Sequence, residues 1–131
     1  MQVGERLAAQ LRACDVLVRL GGDEFAVLLQ DAGAAEALVL AGRFRFALQG
    51  EFAVEGLAVY VDVSIGIALC PDVATDVEGL LQRADIAMYQ AKSDRVGAVV
   101  FEAGEADLTA RLTGVEELRH ALLFARAVGG P

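Results

Sequence analysis

Cysteine is scarce in this chain, and the two that occur, Cys14 and Cys70, stand far apart. Two such thiols build neither a disulfide framework nor a thiolate metal cluster, so a reducing cytoplasm is the expected compartment and both residues are expected to be buried as small apolar groups. Positive charge is scarce as well: 11 Lys and Arg face 19 Asp and Glu, giving a formal net charge of −8. That balance disfavours a nonspecific grip on nucleic acid or on an anionic membrane, so any phosphate site has to be built locally. Long hydrophobic runs are missing too. No stretch reaches the roughly 18 uninterrupted apolar residues of a membrane span, and Met1 is not followed by a basic and then apolar export signal. The expectation is a soluble, cytoplasmic chain with no nucleic-acid partner and no direct membrane insertion.

Apolar residues are plentiful. They make up 56% of 131 residues, enough for one domain with a sizeable core. Val3, Leu7, Ala8 and Leu11 recur at helical spacing over residues 3–13. Strands are expected at about 16–20 and 25–30, before Asp31-Ala32-Gly33 breaks the pattern and a helix of 34–48 presents Leu38, Ala41, Phe44 and Leu48. Residues 52–58 read as loop or short strand. From Val59 to Leu69 the apolar residues alternate at period two, the mark of a strand with a packed face, and Pro71 ends it. Thr75-Asp76-Val77-Glu78 has the capping-box pattern, opening a helix with Leu80, Leu81, Ala84, Ala87, Met88 and Ala91 on one stripe. Core packing is the expected role of Met88 and Tyr89. A short strand follows at 98–101, and Gly104 marks the end of the compact unit. Residues 1–104 are thus one domain and 105–131 a separate segment. Leu108, Leu112, Val115, Leu118, Leu122 and Ala125 recur there at spacings of three and four, predicting a helix over 107–126 with one sticky stripe. His120 lies alone in it without a second ligand, so it is expected to be solvated or at a core edge.

The most informative segment is Arg19-Leu20-Gly21-Gly22-Asp23-Glu24-Phe25, set between the apolar runs Val16-Leu17-Val18 and Ala26-Val27-Leu28-Leu29. Gly-Gly between such runs predicts a hairpin turn, since glycine reaches positive φ without a Cβ clash. Bare backbone also admits a bulky ligand, and Asp23 and Glu24 supply hard oxygen ligands of the kind that hold Mg²⁺ beside a triphosphate. A nucleotide site is the functional reading; a solvated hairpin tip is the bland one.

This segment resembles the signature of the GGDEF family of bacterial diguanylate cyclases, which condense two GTP into cyclic di-GMP. Val63-Ser64-Ile65-Gly66-Ile67-Ala68, Ala84-Asp85-Ile86-Ala87-Met88-Tyr89 and Ala91-Lys92 follow in the family's order, so the resemblance covers about residues 3–102. It implies an α/β (α+β sandwich) fold: a nucleotide-cyclase-like mixed sheet with flanking helices and the signature on a hairpin. By the same resemblance Gly21 and Gly22 bound the nucleotide pocket, Asp23 is a ligand of Mg²⁺ (or Mn²⁺), and Glu24 is a second ligand or helps to activate the attacking hydroxyl. Lys92 corresponds to a phosphate-contacting lysine, with a solvated helix end as its alternative. Arg95 stands one position earlier than the family's Gly-Arg pattern places its arginine. Arg12-Ala13-Cys14-Asp15 fits the inhibitory Arg-x-x-Asp motif in register, and Arg43 aligns with a further arginine of that product site. Guanidinium forks bind a guanine edge or a phosphate in a bidentate manner, and a carboxylate accepts from guanine N–H groups. Arg43 and Arg45 have solvated helix positions as their alternative reading.

The family's first strand, with its metal-binding aspartate, and the helical region that reads guanine find no counterpart here. The sequence therefore predicts a sheet lacking its middle strand, with exposed backbone groups prone to association, and a C-terminal connector helix of the kind that leads into an EAL domain. The implied partners are GTP, cyclic di-GMP, a second copy in a homodimer, and an attached EAL or sensory domain. Three readings follow: a diguanylate cyclase domain, inactive as this chain; a noncatalytic GTP or cyclic di-GMP receptor that regulates an output domain; or an interaction domain seamed by its tail helix.

Overall fold

Alternation over a long stretch produces the longest strand. In the computed structural model, which describes residues 2–49, 51–102 and 120–130, this strand runs unbroken from Leu57 to Cys70. The elements in chain order are α1 (Gln2–Ala8), β1 (Val16–Arg19), β2 (Glu24–Leu29), α2 (Ala34–Ala47), β3 (Glu51–Val54), β4 (Leu57–Cys70), α3 (Val77–Ser93), β5 (Ala98–Val100) and β6 (His120–Gly130). Six strands form one mixed sheet in the order β1-β2-β6-β4-β3, with β5 pairing parallel to β4 and all other pairs antiparallel. The mixed α/β class expected from the sequence is the class found.

Helices cover both faces of the sheet, because alternate residues of β2, β4 and β6 feed two cores. Phe25, Val27, Leu29, Val63, Ile65, Ile67, Leu123 and Ala125 pack with Leu7 of α1 and with Ala37, Leu40, Ala41 and Phe44 of α2. Ala68, Leu122 and Phe124 pack on the opposite face with Leu80, Ala84 and Met88 of α3. Gly66 lets α3 lie directly on β4, since a Cβ there would fall onto the Ala84 carbonyl oxygen and the Met88 amide. This close approach is the reason for a glycine in the Val63–Ala68 stretch.

Several expectations are corrected. The helix expected over 107–126 is not formed at its C-terminal end: residues 120–126 belong to strand β6, while 103–119, including Gly104, lie outside the described residues. The sheet consequently does not lack a middle strand, because β6 fills the place between β2 and β4. The physical reason is that residues 121–125 are buried on both sides, and a continuous apolar run has no period by which to separate strand from helix. Leu38 of α2 is exposed, and Ala37 and Leu40 take the buried positions beside Ala41 and Phe44. The α3 N-cap is Asp76 instead of Thr75; its carboxylate accepts from the Gly79 N–H at 3.3 Å. Met88 is core as expected, but Tyr89 is exposed. Cys14 is exposed and Cys70 half-buried, so neither is the fully buried filler expected. No helix of the described residues is long and apolar enough to cross a membrane.

Candidate functional site

The β1–β2 hairpin carries two arrays of polar groups, one at each end. At its tip the Leu20 N–H donates to the Glu24 carbonyl at 2.8 Å, closing the turn over Gly21, Gly22 and Asp23. Arg19 folds its guanidinium over that turn, Nε donating to the Gly21 carbonyl at 3.0 Å and Nη2 to the Gly22 carbonyl at 3.1 Å. The glycines do not supply the positive φ expected of them, since among the described glycines only Gly56 has one, at 79°. Their contribution is openness: both are exposed, and nothing lies within 4 Å of where a Gly22 Cβ would stand. An open groove of about 360 Å³ runs beside the tip between α1 and the hairpin, lined by Gly4, Glu5, Ala8, Leu17, Arg19 and Phe25.

Asp23 is held by β6. Its backbone carbonyl accepts from the Ala127 N–H at 2.8 Å, and its Oδ2 accepts from Arg126 Nε at 3.3 Å. The Arg126 guanidinium is raised above its ordinary value first by the hydrogen bond to Asp23 and then by the charge of Asp23, with further contributions from Tyr89 and Glu24 and opposed by burial. Glu24 opens β2 directly opposite Arg126 in the register. A Mg²⁺ or Mn²⁺ centre needs several hard oxygen donors converging on one point. Among the described residues no group of three or more His, Cys, Asp or Glu side chains is so arranged, and one Asp23 oxygen already accepts from a guanidinium. Asp23 and Glu24 could hold such an ion only together with substrate phosphates, and only with Arg126 displaced from Asp23.

Lys92 and Arg95 lie at the same end of the sheet as the tip but do not join it. The register sets Glu24, Arg126 and Ser64 in one row, and the Ile65 N–H donates to the Gly97 carbonyl at 3.0 Å on the far edge of β4. Three strand spacings of about 4.8 Å therefore separate the tip from the α3–β5 turn. Lys92 is exposed in the last turn of α3, and Arg95 sits just past it with φ of 57°.

The second array stands at the other end of the hairpin, about 20 Å away by the rise of six β2 residues. Arg12 forks onto Asp15, with Nη2 to Oδ1 at 2.9 Å and Nε to Oδ2 at 3.2 Å, and its backbone N–H donates to the same carboxylate at 2.9 Å. Arg12 Nη2 also donates to the Gln30 carbonyl at 2.7 Å, tying the α1–β1 loop to the end of β2. The Asp15 side chain is only 2% exposed, whereas that of Arg12 is 54% exposed. Burial works to raise the Asp15 carboxyl, but hydrogen bonds from Arg12 and the attraction of its charge outweigh it and hold the group below its ordinary value. Arg12 and Asp15 share a cavity of about 360 Å³ with Leu29, Glu36, Leu40 and Arg43. The three residues expected at a product site are thus brought together. Arg45, two positions along α2, lies over Gly97 instead.

A family model described as diguanylate cyclase, GGDEF domain, matches residues 1–97. The chain belongs to the GGDEF family. Its domain is 36% identical over 124 residues to the bifunctional diguanylate cyclase/cyclic di-GMP phosphodiesterase MucR of Pseudomonas aeruginosa, a match covering 93% of this chain and 18% of MucR. It is 41% identical over 100 residues to the diguanylate cyclase TpbB of the same species, covering 75% of this chain and 23% of TpbB. An EAL/GGDEF domain protein from M. capsulatus has a similar solved structure, with TM-score 0.70 and 33% identity over 77% of this chain and 66% of that one. The chain spans about a fifth of the length of MucR and TpbB.

Two residues of these arrays escape sequence reasoning. Arg19 reads only as a flank of the signature, and Arg126 as one residue of a helix. The available signal for Arg126 was a lone charge inside the run from Ala121 to Val128. Its partner, 103 positions away, is set by strand pairing alone.

Proposed function

We propose that this GGDEF domain works in cyclic di-GMP signalling as a diguanylate cyclase-type domain, and that guanine nucleotides meet it at two places. GTP approaches the open Gly21–Gly22 tip, with Lys92 and Arg95 at the same end of the sheet available to its phosphates. Cyclic di-GMP occupies the cavity of Arg12, Asp15 and Arg43. The observation that carries the reading is the convergence of two guanidinium groups and a nearly buried carboxylate on one cavity. That combination suits a ligand with both phosphates and guanine edges. The family's reaction joins two GTP, so a second copy would supply the second half-site, and the name of MucR fits an attached phosphodiesterase-type domain.

In the arrangement described, the domain acts through binding. The Asp23 carboxylate accepts from Arg126, so a divalent ion has to displace that guanidinium before any phosphoryl transfer. Product held at Arg12 and Asp15 then reports the second messenger to whatever domain is attached. Incubation with GTP and Mg²⁺ followed by chromatography is expected to yield no cyclic di-GMP. Calorimetric titration with cyclic di-GMP is expected to show binding that survives Asp23→Asn. A charge-assisted contact contributes about 1.5–3 kcal/mol, so Arg12→Ala should weaken binding roughly ten- to a hundredfold. Equal affinity in the two proteins, or no binding to either, overturns the reading.

A further inference from the structure

We infer that Arg126 is the resident cation of the Gly-Gly-Asp-Glu tip, and that β6 masks the Asp23 carboxylate from divalent cations. Two adjacent residues of β6 hold Asp23 at once, Ala127 through its backbone N–H and Arg126 through Nε. The grip is built into the register: Arg126 pairs with Glu24 on one side and with Ser64 on the other, so β6 cannot seat its apolar residues without bringing this guanidinium to the tip. Slippage by one residue would send Arg126 into the face buried against α1 and α2, where Ala125 and Ala127 lie. Among the described residues, Arg19 is a further cation at the tip, and it is engaged with the Gly21 and Gly22 carbonyls and leaves the carboxylate to Arg126. A divalent ion would approach acids that already face a positive charge.

The pair is also weak enough to be displaced. The Arg126 and Asp23 side chains are 31% and 41% exposed, and an ion pair so open to water contributes little to stability. It therefore does not fasten β6, whose apolar residues do so; its effect falls on what else can bind Asp23.

The test uses the whole chain, with Mn²⁺ alone as probe and its electron paramagnetic resonance signal as readout. Arg126→Gln should bind Mn²⁺ more tightly than wild type by up to about fivefold, the upper end expected from an exposed pair of this kind. The gained binding should vanish in Arg126→Gln combined with Asp23→Asn, and Arg126→Lys should remain blocked. Thermal melts within a few degrees of wild type confirm that the sheet is retained. Should Arg126→Gln not fold, the wild type still decides the matter: masking requires Mn²⁺ binding that Asp23→Asn leaves unchanged. Wild-type binding lost on Asp23→Asn, equal affinity in wild type and Arg126→Gln, or no binding to either, overturns the inference.

Discussion

Arg95 holds a backbone conformation that suits a glycine, with φ of 57° just past the end of α3. The chain reverses there through paired bonds, the Val96 N–H donating to the Ala91 carbonyl at 3.0 Å and the Arg95 N–H to the Lys92 carbonyl at 3.3 Å. Those bonds satisfy carbonyls at the helix end and require a left-handed residue between them. A side chain at such a position costs about 1 kcal/mol through the crowding of its Cβ. Arg95→Gly should therefore stabilise the domain by about that amount, raising the calorimetric melting temperature by a few degrees. The same geometry explains a glycine at this position in the family pattern, and the arginine of this chain departs from it at a cost. At the tip the assignment is reversed, since Gly21 and Gly22 adopt no positive φ and matter for the side chains they lack.

Glycine decides packing at the level of whole elements too. α3 rests on β4 through Gly66, so Gly66→Ala would drive a methyl into the helix backbone. Backbone cannot turn aside as a side chain can, and overpacking of this kind costs at the upper end of about 1–3 kcal/mol. Gly42, by contrast, lies inside α2 with nothing within 4 Å of its missing Cβ. Gly42→Ala should stabilise by roughly 0.5–1 kcal/mol, because alanine has the better helix propensity. Urea denaturation of the two variants should move in opposite directions from wild type, and a shift of the same sign in both would contradict the packing described. The α3 stripe was legible in the sequence because Leu80, Ala84, Ala87, Met88 and Ala91 keep strict helical spacing. On α2 the expectation placed Leu38 inward where Ala37 and Leu40 are buried: apolar residues on both sides of that helix blur its face.

The whole molecule depends on where residues 120–130 go. As the middle strand, β6 supplies Leu123 to the core under α1 and α2 and Phe124 to the core under α3. Leu123 is fully buried, so Leu123→Ala should cost about 2–5 kcal/mol, whereas exposed Leu38→Ala should stay within about 0.5 kcal/mol of wild type. Were 120–126 a helix leaving the domain, the Leu123 change would be nearly silent in chemical denaturation, and that outcome would remove β6 from the sheet. The ion pair of Arg126 with Asp23 and the filled centre of the sheet stand or fall with the same strand.

By itself the sequence determined the mixed α/β class, the β1–β2 hairpin, the long strand β4, the helix α3 and the family, because each rests on a local period or a contiguous motif. It also brought Arg12 and Asp15 together, since residues three positions apart in one short loop are near neighbours. Tertiary structure alone decided the partner of Asp23, the place of Arg43 beside the Arg12–Asp15 pair, and the fate of residues 120–130. A run buried on both faces carries no period, and only the vacancy between β2 and β4, with unpaired backbone groups on both sides, makes it a strand.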